Sequence, residues 1–261
     1  MANKLAIVTG ASTGIGFELA TLAAQEGYDL IVVANEPLIN AAAADFERHG
    51  TDVRAVEADL STIEGVDTLL AAAEGREIDV LAANAGVGTG GPFLDQAVAT
   101  WRHSVDTNVT GTVYLLQKVL SRMVARNAGK VLVTGSIAGY IPGSFNAIYN
   151  ATKAFIDNFT EALRNELKEV EGVTLTTLMP GPTETEFFAR ADMLDTKVGQ
   201  DEHKADPAKV AEDGWTALMA GKGHIVSGLS NKLQVAGAGV VPQSVLAQMH
   251  RGMAEPGSGQ D

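Results

Sequence analysis

Thr9-Gly10-Ala11-Ser12-Thr13-Gly14-Ile15-Gly16, running on into Phe17-Glu18-Leu19-Ala20, decides how this chain folds. Leu5–Thr9 before it is a short apolar run with the character of a buried strand. Ile15–Gln25 after it has helical spacing. Glycines between a strand and a helix let the chain turn sharply and bring its backbone close to a ligand. The helix that follows offers unpaired N–H groups and the positive end of its dipole to an anion. The spacing, Gly-x-x-x-Gly-x-Gly, differs from the commoner Gly-x-Gly-x-x-Gly. Its place directly at a strand-to-helix junction is what points to a nucleotide.

The same alternation continues in both directions. Further strands are expected at Leu30–Ala34, Val53–Glu57, Val80–Ala83, Lys130–Thr134, Thr174–Leu178 and His224–Ser227. Helices are expected near Leu38–His49, Ile63–Ala73, Val109–Arg126, Ala147–Glu169 and Ala208–Ala220. Most strands are apolar nearly throughout, as in sheets covered on both faces. The pattern predicts an α/β fold: one Rossmann-type, doubly wound parallel sheet of about seven strands with helices on both faces. We expect a single domain over 1–255 and a loose tail at 256–261. Gly86–Pro92 is expected to be a flexible loop. A substrate flap is expected near 182–205, because ligands bind at the carboxyl ends of parallel strands.

Composition excludes several functions. There is no cysteine among 261 residues, so disulfides, thiolate nucleophiles and zinc–thiolate or iron–sulfur sites are ruled out, and no metal site is expected. The formal net charge of −13 disfavours nucleic acid and anionic lipid as partners. No apolar run reaches the ~18 residues of a membrane span. The amino terminus has no secretory pattern, so a cytoplasmic protein is expected.

Three constellations carry chemistry. Asp59 and Leu60 close the third strand, where a carboxylate can meet an adenine amino group; the bland alternative is a helix cap, for which Ser61 is better placed. Asn84-Ala85-Gly86 ends the fourth strand, its small residues leaving room for a flat ligand, and Asn84 can tie neighbouring backbone together. Tyr149 and Lys153 stand four apart in the longest helix, so phenol and ammonium share a face. A free tyrosine, with a pKa of ~10, is a poor acid–base group near neutrality, and an adjacent cation favours its phenolate. Ser136, at the end of the fifth strand, can donate to a substrate oxygen beside that phenol. The Asn108 amide can hold a water behind the lysine at the cost of a local helix distortion.

These residues, in this order, resemble the short-chain dehydrogenase/reductase family over nearly all of residues 4–228. The resemblance implies that Tyr149 is the proton donor and acceptor, that Ser136 orients a substrate carbonyl, and that Lys153 contacts the nicotinamide ribose and lowers the tyrosine pKa. It implies that Asn108 supports a water-mediated proton relay. Gly10, Ser12, Thr13, Gly14, Ile15 and Gly16 would hold the pyrophosphate, with Asp59, Leu60, Asn84, Ala85 and Gly86 beside the adenosine and ribose. Pro180-Gly181-Pro182-Thr183-Glu184-Thr185 resembles the nicotinamide-holding segment, with the Thr183 backbone and Thr185 hydroxyl near the carboxamide.

The chain departs from the family at two places. One asparagine, not two, precedes Ala85-Gly86. The second strand ends Val33-Ala34-Asn35-Glu36, which carries neither the acid typical of NAD users nor the arginine of NADP users. The cofactor is therefore NAD or NADP, with NAD preferred, because neutral Asn35 serves a ribose hydroxyl and Glu36 would repel a 2′-phosphate. Ala138, Ile141, Phe145, Phe187 and Phe188 are expected to wall an apolar substrate pocket. The implied activity is interconversion of a lipophilic secondary alcohol and a ketone; the competing reading is a catalytically silent dinucleotide sensor or scaffold of the same fold. A homodimer or homotetramer is expected from the family habit.

Overall fold

The computed structural model describes residues 3–260. Seven parallel strands form one sheet: β1 Leu5–Thr9, β2 Asp29–Ala34, β3 Val53–Glu57, β4 Val80–Ala83, β5 Gly129–Thr134, β6 Val173–Met179 and β7 His224–Val226, in the order β3-β2-β1-β4-β5-β6-β7. The order reverses between β1 and β4, which places a crevice at the carboxyl ends of those two strands. The register Ile7↔Ile31 and Ile7↔Leu81 sets β1 at the centre, where every residue is buried. Its uninterrupted apolar run follows from cover on both faces.

Helices α1 (Gly14–Gln25), α2 (Leu38–Glu47) and α3 (Ile63–Ala71) alternate with the first strands. After β4 come α4 (Val98–Val105), a wide π-type turn at Asp106–Gly111, and α5 (Thr112–Ala125). Helices α6 (Ala147–Glu166), α7 (Phe187–Arg190), α8 (Lys197–Gln200), α9 (Pro207–Met219), α10 (Leu229–Ala238) and α11 (Gln243–Ala254) complete the chain. One core layer packs Leu19, Ala20, Ala23 and Phe46 with Trp215 and Leu218 on one sheet face. The other packs Val66, Leu69, Leu116, Val119 and Ile156 on the opposite face. The small residues Ala20, Ala23 and Ala24 let α1 lie close to the sheet, steering its amino terminus to the β1–β4 crevice.

Three expectations are corrected. Residues 256–260 are not a loose tail: Ser258–Gln260 forms a turn, Gly257 N–H donates to the Asp195 carboxylate (2.7 Å), Gly259 N–H donates to the Asp195 carbonyl (2.9 Å), and Ser258 Oγ accepts from Lys197 N–H (3.1 Å). Asp261 lies outside the described residues. The Gly86–Pro92 loop is pressed onto the flap. A Cβ at Gly88 would lie 2.4 Å from Phe187, one at Gly90 would lie 2.5 Å from Met193, and Gly90 N–H donates to Ala191 O at 2.8 Å. The cap of α3 is Thr62, whose Oγ1 accepts from Gly65 N–H at 2.9 Å, and not Ser61. Residues 229–255 form α10 and α11, with α11 packed against α8 of the flap.

Candidate active site

The glycine turn is built as its spacing requires. Gly10 and Gly14 adopt φ of +64° and +59°, the left-handed region open to glycine. Gly16 is fixed by contact instead: a Cβ there would sit 2.0 Å from Gly10 O and 2.6 Å from Asn84 Nδ2. Thr13 begins α1 in an extended conformation and its side chain caps nothing, so the first N–H groups of the helix remain free for an anion. From the flap, Thr185 reaches back over this turn, because a Cβ on Gly14 would meet Thr185 Cγ2 at 2.8 Å.

Asn84 joins the ends of three strands. Its Nδ2 donates to Thr9 O (3.1 Å), its Oδ1 accepts from Thr134 Oγ1 (3.0 Å), and its backbone N–H donates to Thr9 Oγ1 (2.9 Å). One asparagine thus supplies the tie across the crevice. Asp59 Oδ1 accepts from Ser61 N–H (2.9 Å), which fixes the exposed carboxylate at the cavity edge.

Tyr149 lies in the first turn of α6 with Lys153 one turn on. Lys153 is 5% exposed and its Nζ donates to Thr134 O (2.7 Å), standing 5.7 Å from the Tyr149 ring centre. Ser136 is extended, its Oγ accepting from Ala138 N–H (3.1 Å) and reaching Pro180 O only at 3.4 Å. The expected lowering of the tyrosine pKa is not what this geometry produces. Burial pushes the phenol up to about 12, Ser136 opposes that rise, and Asp157 adds to it. The Lys153 ammonium is engaged by Thr134 O, and its own pKa is lowered by burial, against the pull of Asp157.

Asn108 occupies the π-type turn, so the anticipated helix distortion is present. Its amide is already spent: Nδ2 donates to Val87 O (2.9 Å) and Thr152 Oγ1 (3.0 Å), while Oδ1 accepts from Val87 N–H (2.8 Å). The side chain therefore braces the loop after β4 against α6. A further buried group lies one turn beyond Lys153. The Asp157 carboxylate is raised by burial, Lys153 opposing, and it packs where Gly135 and Gly139 leave no room for a Cβ.

These elements converge on one cavity of about 340 Å³ that runs from the glycine turn to the flap. Every residue assigned from sequence to the nucleotide lines it, except Gly16, which sits behind the turn. Ser136, Tyr149 and Lys153 line it; Asn108 does not. Of the substrate residues, Ala138, Ile141, Phe187 and Phe188 line it, and the Phe187 ring packs 4.9 Å from that of Tyr149. Phe145 does not. Its ring belongs to the cluster of Phe188, Met193 and Ala254, beneath the Arg251 guanidinium at 5.0 Å.

Sequence reasoning missed Asn146, Arg190, Gln234, His250 and Met253, which also line the cavity. Arg190 brings a cation to the end of the second strand from a remote position. It reaches from the flap to Glu36 Oε1 (2.9 Å), which also accepts from Ser12 Oγ (2.6 Å). Those two contacts, Ser12 foremost, hold the Glu36 carboxyl below its ordinary range. No motif marks residues 154 positions apart; the amphipathic spacing of Leu246, His250 and Ala254 was the one available sign that His250 faces inward.

Comparison with known proteins identifies the family. The sequence profile of short chain dehydrogenases matches residues 4–193. An uncharacterized oxidoreductase of Staphylococcus epidermidis is 32% identical over 207 residues, covering 78% of this chain and 88% of that protein. A short-chain dehydrogenase from Sphingobium yanoikuyae, solved in complex with NADPH, superimposes with a TM-score of 0.81 at 26% identity over 92% of this chain and 97% of its own. The Burkholderia phymatum short chain dehydrogenase/reductase, solved with NAD, shares the fold with a TM-score of 0.82 at 23% identity, over 90% of this chain and 92% of its own. With a matching profile over most of its length, a seven-stranded parallel sheet and the tyrosine–lysine pair set beside the glycine turn, this chain belongs to the short-chain dehydrogenase/reductase family.

Proposed function

We propose that the protein is an NAD(P)-dependent oxidoreductase that interconverts a secondary alcohol and a ketone on a largely apolar skeleton. The observation that carries this reading is that Ser136, Tyr149 and Lys153 line the same cavity as the glycine turn. The turn fits a dinucleotide: Gly10 holds a positive φ, Gly16 leaves no room for a Cβ, and the start of α1 offers uncapped N–H groups. Gly10–Ile15 would hold the pyrophosphate, Asn35 and Asp59 the adenosine, and Lys153, Thr183 and Thr185 the nicotinamide riboside. When bound, the nicotinamide donates or accepts the hydride.

The protein's own groups supply the proton and the orientation. A phenol pushed up to about 12 is protonated at neutrality, the form required to reduce a carbonyl. Tyr149 delivers that proton to the carbonyl oxygen, and the phenolate left behind faces the Lys153 ammonium. Ser136 Oγ accepts from Ala138 N–H and holds Pro180 O only loosely, so its hydrogen is available to the same carbonyl oxygen. Phe187 packs its ring at a 55° tilt 4.9 Å from that of Tyr149, an apolar neighbour for the phenol. NAD is favoured over NADP because Glu36 already occupies Arg190, the cation lining this end of the cavity among the described residues.

Tyr149→Phe tests the reading. Turnover of reduced nicotinamide with a panel of lipophilic ketones should fall by about 10²–10⁴-fold, while nucleotide affinity stays within a factor of two to three. Retained turnover refutes the assignment of the tyrosine. Nucleotide binding without turnover of any ketone or alcohol by the unaltered protein would favour the sensor.

A further inference from the structure

The carboxyl-terminal helix α11 grips the segment that leads into the tyrosine helix. Ser144 Oγ donates to Ala247 O (3.0 Å), Arg251 lies over the Phe145 ring, and His250 Nδ1 lies 2.9 Å from Ser144 O. Phe145 is held at φ +63°, a conformation uncommon for an aromatic residue, so this knuckle depends on the clamp. A carbonyl only accepts, so Nδ1 of His250 must carry the hydrogen. The neutral ring then presents Nε2 as a bare acceptor. His250 is 9% exposed and lines the cavity, and Nε2 has no protein partner among the described residues. Burial lowers the His250 pKa, which keeps the ring neutral. Asn146 in the same knuckle also lines the cavity, but its Oδ1 is sealed from it. The lining also includes the apolar Ile141, Phe187, Phe188, Met193 and Met253, with Gln234 a further polar side chain.

A neutral, unpartnered acceptor among these mostly apolar side chains calls for a donor on the ligand. We infer that His250 is a specificity residue which accepts a hydrogen bond from a substrate hydroxyl remote from the reacting carbonyl, so that the preferred substrates are hydroxylated lipophilic ketones and the corresponding diols. This inference rests on the ketone–alcohol reading above and narrows it.

The test uses matched pairs in which a distal hydroxyl is exchanged for a methyl group of similar size: 4-hydroxyphenylacetone and 4-(4-hydroxyphenyl)butan-2-one against their 4-methylphenyl counterparts. The quantity read is the hydroxy-to-methyl ratio of kcat/KM, together with the same ratio of binding constants for the oxidised-nucleotide complex by calorimetry. The unaltered protein should favour the hydroxylated member in at least one pair by about tenfold or more. His250→Asn retains a donor near Nδ1 for Ser144 and removes the group at Nε2; it should collapse the ratio towards one. His250→Gln carries an acceptor to the Nε2 position and should restore most of the preference. A ratio near one in the unaltered protein for both pairs overturns the inference. So does an equal loss on both members in His250→Asn, which would make the residue a brace for Ser144 alone. If no ketone is turned over, the catalytic reading fails, and the calorimetric ratio still decides whether His250 selects the hydroxyl.

Discussion

Gly16→Ala isolates what the glycine turn does, because the substitution is helix-compatible everywhere except in its contacts. Gly16 lies inside α1 without the positive φ of Gly10 and Gly14, so alanine would gain about 1 kcal/mol of helix propensity. Against that gain, the added Cβ would stand 2.0 Å from Gly10 O and 2.6 Å from Asn84 Nδ2. Ordinary contact begins at 3.4 Å, well beyond both approaches. Neither neighbour yields cheaply. Gly10 N–H is held by Val33 O at 2.8 Å, and the Asn84 amide ties Thr9 to Thr134. Overpacking of this kind costs about 1–3 kcal/mol, and the strained Asn84 bonds add about 1 kcal/mol. After the propensity gain, the net loss is about 1–3 kcal/mol. For a domain of this size that lowers Tm by roughly 2–4 °C per kcal/mol. The turn must move to relieve the clash, so its N–H groups lose their alignment, and the dissociation constant for reduced nicotinamide nucleotide, read by its fluorescence, should rise at least tenfold. A variant with unchanged Tm and unchanged nucleotide affinity would refute the argument that contact with Gly10 and Asn84 dictates glycine here. A lower Tm with unchanged affinity would separate the turn's packing from any part in binding.

Two other perturbations follow from the same geometry. Asn35→Arg places a second guanidinium beside Glu36 at the cavity edge, and the NADP-to-NAD ratio of kcat/KM should rise at least tenfold; an unchanged ratio would move the ribose away from Asn35. Asp157→Asn removes a carboxyl whose folded pKa is raised, so the native state binds more protons than the unfolded chain between the ordinary carboxylate range and neutrality. The stability this group contributes is present in acid and is lost as pH rises through the folded value. The variant should therefore show a flatter Tm against pH between about 4 and 7. It should also lower the Lys153 pKa further, moving the pH profile of turnover to lower pH. An identical Tm slope in variant and parent would remove the buried carboxylate from this role.

How legible the site was depended on whether the chemistry lay in local spacing. The glycine turn, the strand ends at Asn84 and Ser136, and the i, i+4 pair Tyr149–Lys153 are set by short-range geometry, and each lies on the element its spacing implied, along one cavity. What a side chain does once placed was harder to read. Asn108 was found through the helix distortion it implies, yet its amide turned out to brace Val87 and Thr152, since a polar group 2% exposed is first claimed by the nearest unpaired backbone. The tyrosine pKa was misjudged for a related reason: i, i+4 spacing brings an ammonium to the ring face, but desolvation of the phenol outweighs a cation that donates to Thr134 O. Contacts between distant segments left no local trace at all. Arg190 meets Glu36 across 154 positions and His250 meets Ser144 across 106, so no window of sequence contains either pair. Those two contacts tie the flap to the ribose end and the last helix to the tyrosine knuckle. The turn and the tyrosine–lysine pair thus follow from local geometry, whereas Arg190 and His250 are brought to the cavity from remote parts of the chain and take their meaning only from the folded state.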